Sequence, residues 1–135
     1  ITHAGGRQCN CGGEGCYECY ASAKALIDAV NKANSTNLDA FQIFEKENFD
    51  KPEVRSVIDK WIDEMIIGLI NIIYIFNPPL IVLGGGIMNE DYVIDLIDRK
   101  IYNLLMDNFK NVNIVRSKLK SDSALLGVAY EAAKL

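Results

Sequence analysis

The chain has 135 residues, of which 50% are hydrophobic and 24% charged, and its formal net charge is −4. That length supports a hydrophobic core but falls short of a typical two-domain enzyme. The acidic balance, with no cluster of Lys or Arg, excludes the positive field that a phosphate backbone requires, so no nucleic acid is expected as a partner of this segment.

The sequence opens on Ile1 with no basic n-region or cleavage site, and reads as a piece of a longer protein. Residues 1–16 are rich in Gly and Cys and hold almost nothing that could build a core. All four cysteines, Cys9, Cys11, Cys16 and Cys19, fall in one short stretch. A disulfide framework would spread its cysteines along the chain, so this clustering favours a metal and a reducing, cytoplasmic setting. Cys9, Cys11 and Cys16 are two and five residues apart with glycines between them, a spacing that lets backbone fold around one tetrahedral ion. Zinc is the natural occupant, since it accepts sulfur-rich ligation without redox chemistry. The competing reading is a set of free thiols in a glycine-rich turn.

From Tyr17 the spacing of Ala21, Ala25, Leu26, Ala29 and Val30 predicts a helix that ends at Asn34 to Asn37. A shorter helix is expected over residues 39–47. Asp50, Pro52 and Glu53 form a start signal for a long helix, with Val54, Val57, Ile58, Trp61, Ile62, Met65, Ile66, Leu69 and Ile73 following at helical spacing. Met65 to Phe76 is apolar on nearly every side yet shorter than the ~20 residues of a membrane span, so burial all round is expected of that end. No membrane contact is expected.

Asn77-Pro78-Pro79 stops this helix, and Leu80 to Leu83 reads as a parallel strand covered on both faces. Gly84-Gly85-Gly86 breaks the strand. Asn89 is expected to cap a helix running to about Asn108, with Tyr92, Val93, Leu96, Ile97, Ile101, Leu104 and Leu105 inward. Residues 112–115 form a second strand, and Ser121 or Asp122 caps a last helix to Leu135. Strand, helix, strand implies a right-handed parallel crossover, and two strands alone suggest more strands upstream of residue 1. The expectation is therefore one α/β domain, with a metal loop over 1–19, a helical part over 20–76 and a βαβα part over 77–135.

Cys9-Asn10-Cys11-Gly12-Gly13-Glu14-Gly15-Cys16-Tyr17-Glu18 resembles the signature loop of the ROK family of repressors and sugar kinases. Tyr20 to Ala23, Asn77 to Gly86 and Ser123 to Ala129 match further stretches of that family in order and spacing, so the resemblance covers essentially the whole chain. It implies the C-terminal portion of an actin-like ATPase domain of the hexokinase type. It also implies ATP-dependent sugar phosphorylation with Mg²⁺, or sugar-responsive repression by members that carry a helix-turn-helix upstream. Three family zinc ligands carry over to Cys9, Cys11 and Cys16, while the family's histidine lies farther upstream than His3. The fourth ligand is thus His3, Cys19 or a residue before Ile1.

The family's sugar-contacting glutamate carries over to Glu18, which read alone is a first-turn carboxylate favoured by the helix dipole. Gly84, Gly85 and Gly86 resemble the adenosine motif, where backbone approaches a nucleotide closely. The phosphate loops and general-base Asp belong upstream, so no catalytic residue is expected within this chain. Glucose is the default sugar. A self-associating chain, forming a homo-oligomer through surface left open, is expected. A stand-alone zinc-binding interaction module is the remaining alternative.

Overall fold

The computed structural model describes residues 1–119 and 122–134. These fall into two compact units, Ile1–Phe76 and Asn77–Leu135.

The first unit is a loop followed by α1 (Glu18–Ala21), α2 (Ala23–Asn34), α3 (Ala40–Phe44), α4 (Lys46–Phe49) and α5 (Pro52–Phe76). The helix predicted from Tyr17 is broken at Ser22, whose backbone is extended at φ −76°, ψ 161°. The break is stabilised from both sides. Ser22 Oγ accepts the N–H of Ala25, capping α2, and the Ser22 carbonyl accepts Trp61 Nε1–H at 2.9 Å. α2 stops where Ser35 turns into the left-handed region at φ 53°. The Asn31 side chain then ties down the connection by bonding the N–H and C=O of Leu38.

The single short helix expected over 39–47 is two helices. Asp39 and Gln42 form a capping box on α3, and Glu45, in an extended conformation, separates it from α4. Asp50 closes α4 as its C-cap, while Pro52 is the first residue of α5, where its missing N–H costs nothing. The core of the unit joins Leu26 and Val30 of α2, Ile43 of α3, and Val54, Ile58, Ile62, Ile66 and Ile73 of α5, all nearly inaccessible. The far end of α5 is not buried all round as expected. Ile75 and Phe76 are 72% and 73% exposed, and Ile67 and Ile72 are also open. Its buried residues recur at helical spacing along one stripe, so this unit covers one side of the helix and leaves the other bare.

The second unit holds β1 (Leu80–Leu83), a 3-10 turn (Gly86–Asn89), α6 (Asp91–Leu104), a second 3-10 turn (Asp107–Phe109), β2 (Asn113–Arg116) and α7 (Ser123–Ala132). β1 and β2 are parallel, with Leu80 opposite Asn113 and Leu83 opposite Arg116. This bears out the α/β class. β1 is not covered on both faces: Leu80 and Val82, which share a face, are about half exposed, while Leu83 on the other face is buried.

α6 begins one residue later than predicted because Asn89 closes the 3-10 turn and Glu90 takes the N-cap position. It ends at Leu104 because Leu105 turns extended. Val93, Ile97, Ile101 and Leu105 are buried as expected, Tyr92 and Leu96 are half-buried, and Leu104 is exposed. Asp122 precedes α7 without a side-chain cap bond, and α7 ends at Ala132; Ser121 and Leu135 lie outside the described residues. Leu125, Leu126, Val128 and Tyr130 of α7 are exposed. Among the described residues no helix is long and apolar enough to cross a membrane.

Candidate functional site

Burial does little to shape residues 1–17; backbone hydrogen bonds and glycine do most of it. Gln8 and Glu14 pair across the loop as an antiparallel bridge. Inside that bridge Cys9 N–H donates to the Gly13 carbonyl and Gly12 N–H to the Cys9 carbonyl, closing a tight tip. At the base, the Gly15 carbonyl accepts the N–H groups of both Thr2 and His3, and Gly15 N–H donates to the Arg7 carbonyl. Gly15 is buried with φ +69°, and a Cβ there would collide with the His3 carbonyl oxygen. Only glycine meets both demands, so Gly15 fixes where Cys16 leaves the loop.

This tip brings Cys9, Cys11 and Cys16 together, with all three sulfurs within 4.8 Å of one another. Cys11 and Cys16 are 3.6 Å apart. Three thiolates around one tetrahedral ion, at a metal–sulfur distance of ~2.3 Å, would stand about 3.8 Å from each other. The donor set thus fits a metal ion with sub-ångström adjustment. Neither proposed partner joins it. His3 Nε2 is hydrogen-bonded to Glu64 Oε2 at 2.8 Å and its ring stacks on Tyr20. Cys19 Sγ lies near Cys9 but donates to the Gln8 carbonyl at 3.5 Å, outside the three-sulfur set.

The thiols differ in acidity. The Cys11 backbone N–H, followed by the Cys11 thiol, donates to Cys9 and lowers its pKa. Cys16 is pushed up to about 11, because it acts as a donor to Cys11 and Cys9 and because negative charge would accumulate beside it. Desolvation first, and then the neighbouring Cys9, raises Cys19.

Two residues beyond Cys16, Glu18 opens α1 with its side chain exposed. It lines a pocket of about 440 Å³ between the loop and α2, together with Arg7, Asn10, Ser22, Lys24 and Asp28. The walls offer carboxylate, amide, hydroxyl and cationic groups, a mixture suited to a small polyhydroxylated molecule. The glycine segment belongs to the second unit. Gly84, Gly85 and Gly86 follow β1, all are exposed, and space around Gly85 and Gly86 is open where a Cβ would stand. Gly85 has φ +111°, a conformation side chains rarely tolerate.

Sequence reasoning missed the aromatic frame of the loop. Tyr20 OH accepts the Arg7 N–H at 2.7 Å, and the Arg7 guanidinium lies over the Tyr20 ring while donating to the Cys19 carbonyl. Tyr17 packs its ring on Gly68 of α5 and donates its hydroxyl to the Met65 carbonyl. One signal was available: an isolated glycine inside the otherwise apolar α5, which costs about 1 kcal/mol and implies a packing reason.

A parallel two-stranded unit with a glycine turn, and a helical unit carrying a three-thiol loop beside a pocket, define an α/β protein whose loop gathers three thiols in reach of one metal ion. The ROK family model matches residues 2–134, and the chain belongs to that family. Glucokinase of Thermotoga maritima is 27% identical over 145 aligned residues, an alignment covering 96% of this chain and 46% of the relative. N-acetyl-D-glucosamine kinase of Yersinia enterocolitica is 22% identical, over 90% of this chain and 40% of the relative. The crystal structure of a ROK family glucokinase from Streptomyces griseus, in complex with glucose and AMPPNP, shares the fold with a TM-score of 0.87 at 24% identity; the match covers 98% of this chain and 49% of that one. The chain therefore spans less than half the length of these proteins.

In metal-free, reduced protein, alkylation by iodoacetamide at pH 8 is expected to modify Cys9 ahead of Cys16. The lowered pKa leaves more Cys9 thiolate at that pH, while the raised one keeps Cys16 protonated. Mass-spectrometric mapping of the first adduct checks this order, and Cys16 reacting first would contradict it.

Proposed function

We propose that this chain is the zinc-loop and nucleotide-side part of an ATP-dependent hexose kinase of the ROK family, with glucose as its sugar. The observation that carries this reading is the position of Glu18. It stands two residues past the last thiol of the metal-ready cluster and on the wall of a pocket that also presents Arg7, Asn10, Ser22, Lys24 and Asp28. The chain's match to the family runs over residues 2–134, and its relatives include a glucokinase and an N-acetyl-D-glucosamine kinase.

In this reading Cys9, Cys11 and Cys16 hold a structural zinc ion, and the fourth ligand is the histidine that the family places before Ile1. The zinc holds the loop rigid, and the Glu18 carboxylate accepts hydrogen bonds from sugar hydroxyls. Gly84, Gly85 and Gly86 let backbone approach the adenosine of ATP. The γ-phosphate, with Mg²⁺, passes to the sugar hydroxyl, whose proton goes to an Asp upstream of this chain. The 135 residues hold only part of that machinery, so the isolated chain is inactive. Exposed apolar side chains on α5 and α7 support a homo-oligomer, and the protein is cytoplasmic.

Purified without chelators, the full-length protein should carry about one zinc per chain, and Cys11→Ser should lose most of it. Zinc-free wild-type protein with intact activity would refute the assignment.

Glu18→Gln in the full-length protein should weaken sugar use by about 1.5–3 kcal/mol, the worth of a hydrogen bond to a charged group, with ATP affinity little changed. Unaltered sugar kinetics would leave Glu18 as a helix-start residue. Sugar binding without any ATP turnover in the same assay would favour a sugar-responsive regulator over a kinase.

A further inference from the structure

Tyr17 sits between the last thiol of the cluster and Glu18, and nothing about its place in the sequence requires an aromatic residue there. Its ring nevertheless fills a notch in α5. A Cβ added at Gly68 would fall among the ring's outer carbons and hydroxyl oxygen, so the helix surface is open at Gly68 only because that residue has no side chain. At the rim of the notch the hydroxyl donates to the Met65 carbonyl at 3.0 Å.

The contact is specific in both partners. A glycine in the middle of a 25-residue helix is unfavourable for the helix itself, so its presence at position 68 needs a compensating contact, and the ring supplies one. A second strut holds the other side of Glu18. Tyr20 is fixed by the Arg7 N–H, the Arg7 guanidinium and the stacked His3, whose Nε2 bonds Glu64 on the same helix α5. Glu18 thus lies between two tyrosines, each tied to α5: Tyr17 directly, and Tyr20 through His3 and Glu64.

α1 is only four residues long, has no side-chain cap and buries none of its residues. Such a helix cannot orient a carboxylate by itself; it takes its direction from what its ends are fastened to. We infer that Tyr17 is a positioning residue, whose docking in the Gly68 notch sets the direction in which Glu18 faces its ligand. This rests on the sugar-binding role proposed for Glu18 and adds the element that makes that role effective. A carboxylate displaced by about an ångström loses most of its directed hydrogen bonding.

The test uses the full-length protein and the hexose that the wild type phosphorylates fastest. Gly68→Ala is the informative variant. Alanine favours the helix more than glycine does, so the fold is retained, while its Cβ forces the Tyr17 ring out of the notch. The sugar KM should rise about tenfold or more in both Gly68→Ala and Tyr17→Ala, with the ATP KM within about twofold of wild type. Tyr17→Phe, which keeps the ring and loses the hydroxyl, should recover most of the loss. In a Glu18→Gln background, Tyr17→Ala should add little, because both changes remove the same interaction.

Unchanged sugar KM in Gly68→Ala and Tyr17→Ala, with Glu18→Gln impaired, would overturn the positioning role and leave the sugar role of Glu18 standing. So would fully additive losses in the double variant. An unimpaired Glu18→Gln protein would instead overturn the sugar role and the positioning inference with it.

Discussion

Three sulfurs held within 4.8 Å of one another cannot all carry negative charge unless a cation lies between them. This constraint governs the first unit. The chain answers it within the loop by making Cys9 more acidic and Cys16 less so, which is how closely packed thiols behave when protons must do the work of a metal. The backbone arrangement is nonetheless set by glycine turns and by the bridge between Gln8 and Glu14, so the sulfurs are gathered by bonds that do not involve them. Preorganisation of this kind lowers the cost of capturing an ion and keeps neighbouring side chains in place once it is bound.

What the loop holds in place is a carboxylate. Glu18 gains nothing from burial and sits on a four-residue helix, so its direction depends on contacts outside that helix. The backbone-bonded loop leads into its N-terminal side and the two tyrosines tie the helix to α5, which is anchored by the core residues Ile58, Ile62 and Ile66. Sequence, packing and site chemistry are therefore linked through a few small features: the glycines at 15 and 68, and the extended backbone of Ser22 that lets α2 turn away behind the pocket. The second unit uses glycine differently, to leave the end of β1 open rather than to fit one group against another.

Much of this was legible in the sequence. The cysteine spacing marked the loop, the Pro52 signal placed the start of the long helix although Asp50 closes α4 rather than capping α5, and the proline pair marked its end. The strand and glycine segment also fell where the pattern placed them. Burial was less readable. Apolar composition on every side of residues 65–76 and 80–83 suggested full enclosure, yet Ile75, Phe76, Leu80 and Val82 are exposed, since composition reports what a surface can bury and not what is present to bury it. The break at Ser22 was hidden because its cause, the indole N–H of Trp61, comes from 39 residues away. The tyrosine frame was hidden for the same reason, with His3 and Glu64 separated by 61 residues.

In the proposed function a metal-held loop presents Glu18 to a sugar. Calorimetric titration of the full-length protein with glucose, before and after zinc removal and again after zinc is restored, tests it most directly. Sugar affinity is expected to fall by at least about tenfold on metal removal, with ATP affinity retained, and to return with zinc. Glucose affinity that is the same in the zinc-loaded and zinc-free protein would contradict it.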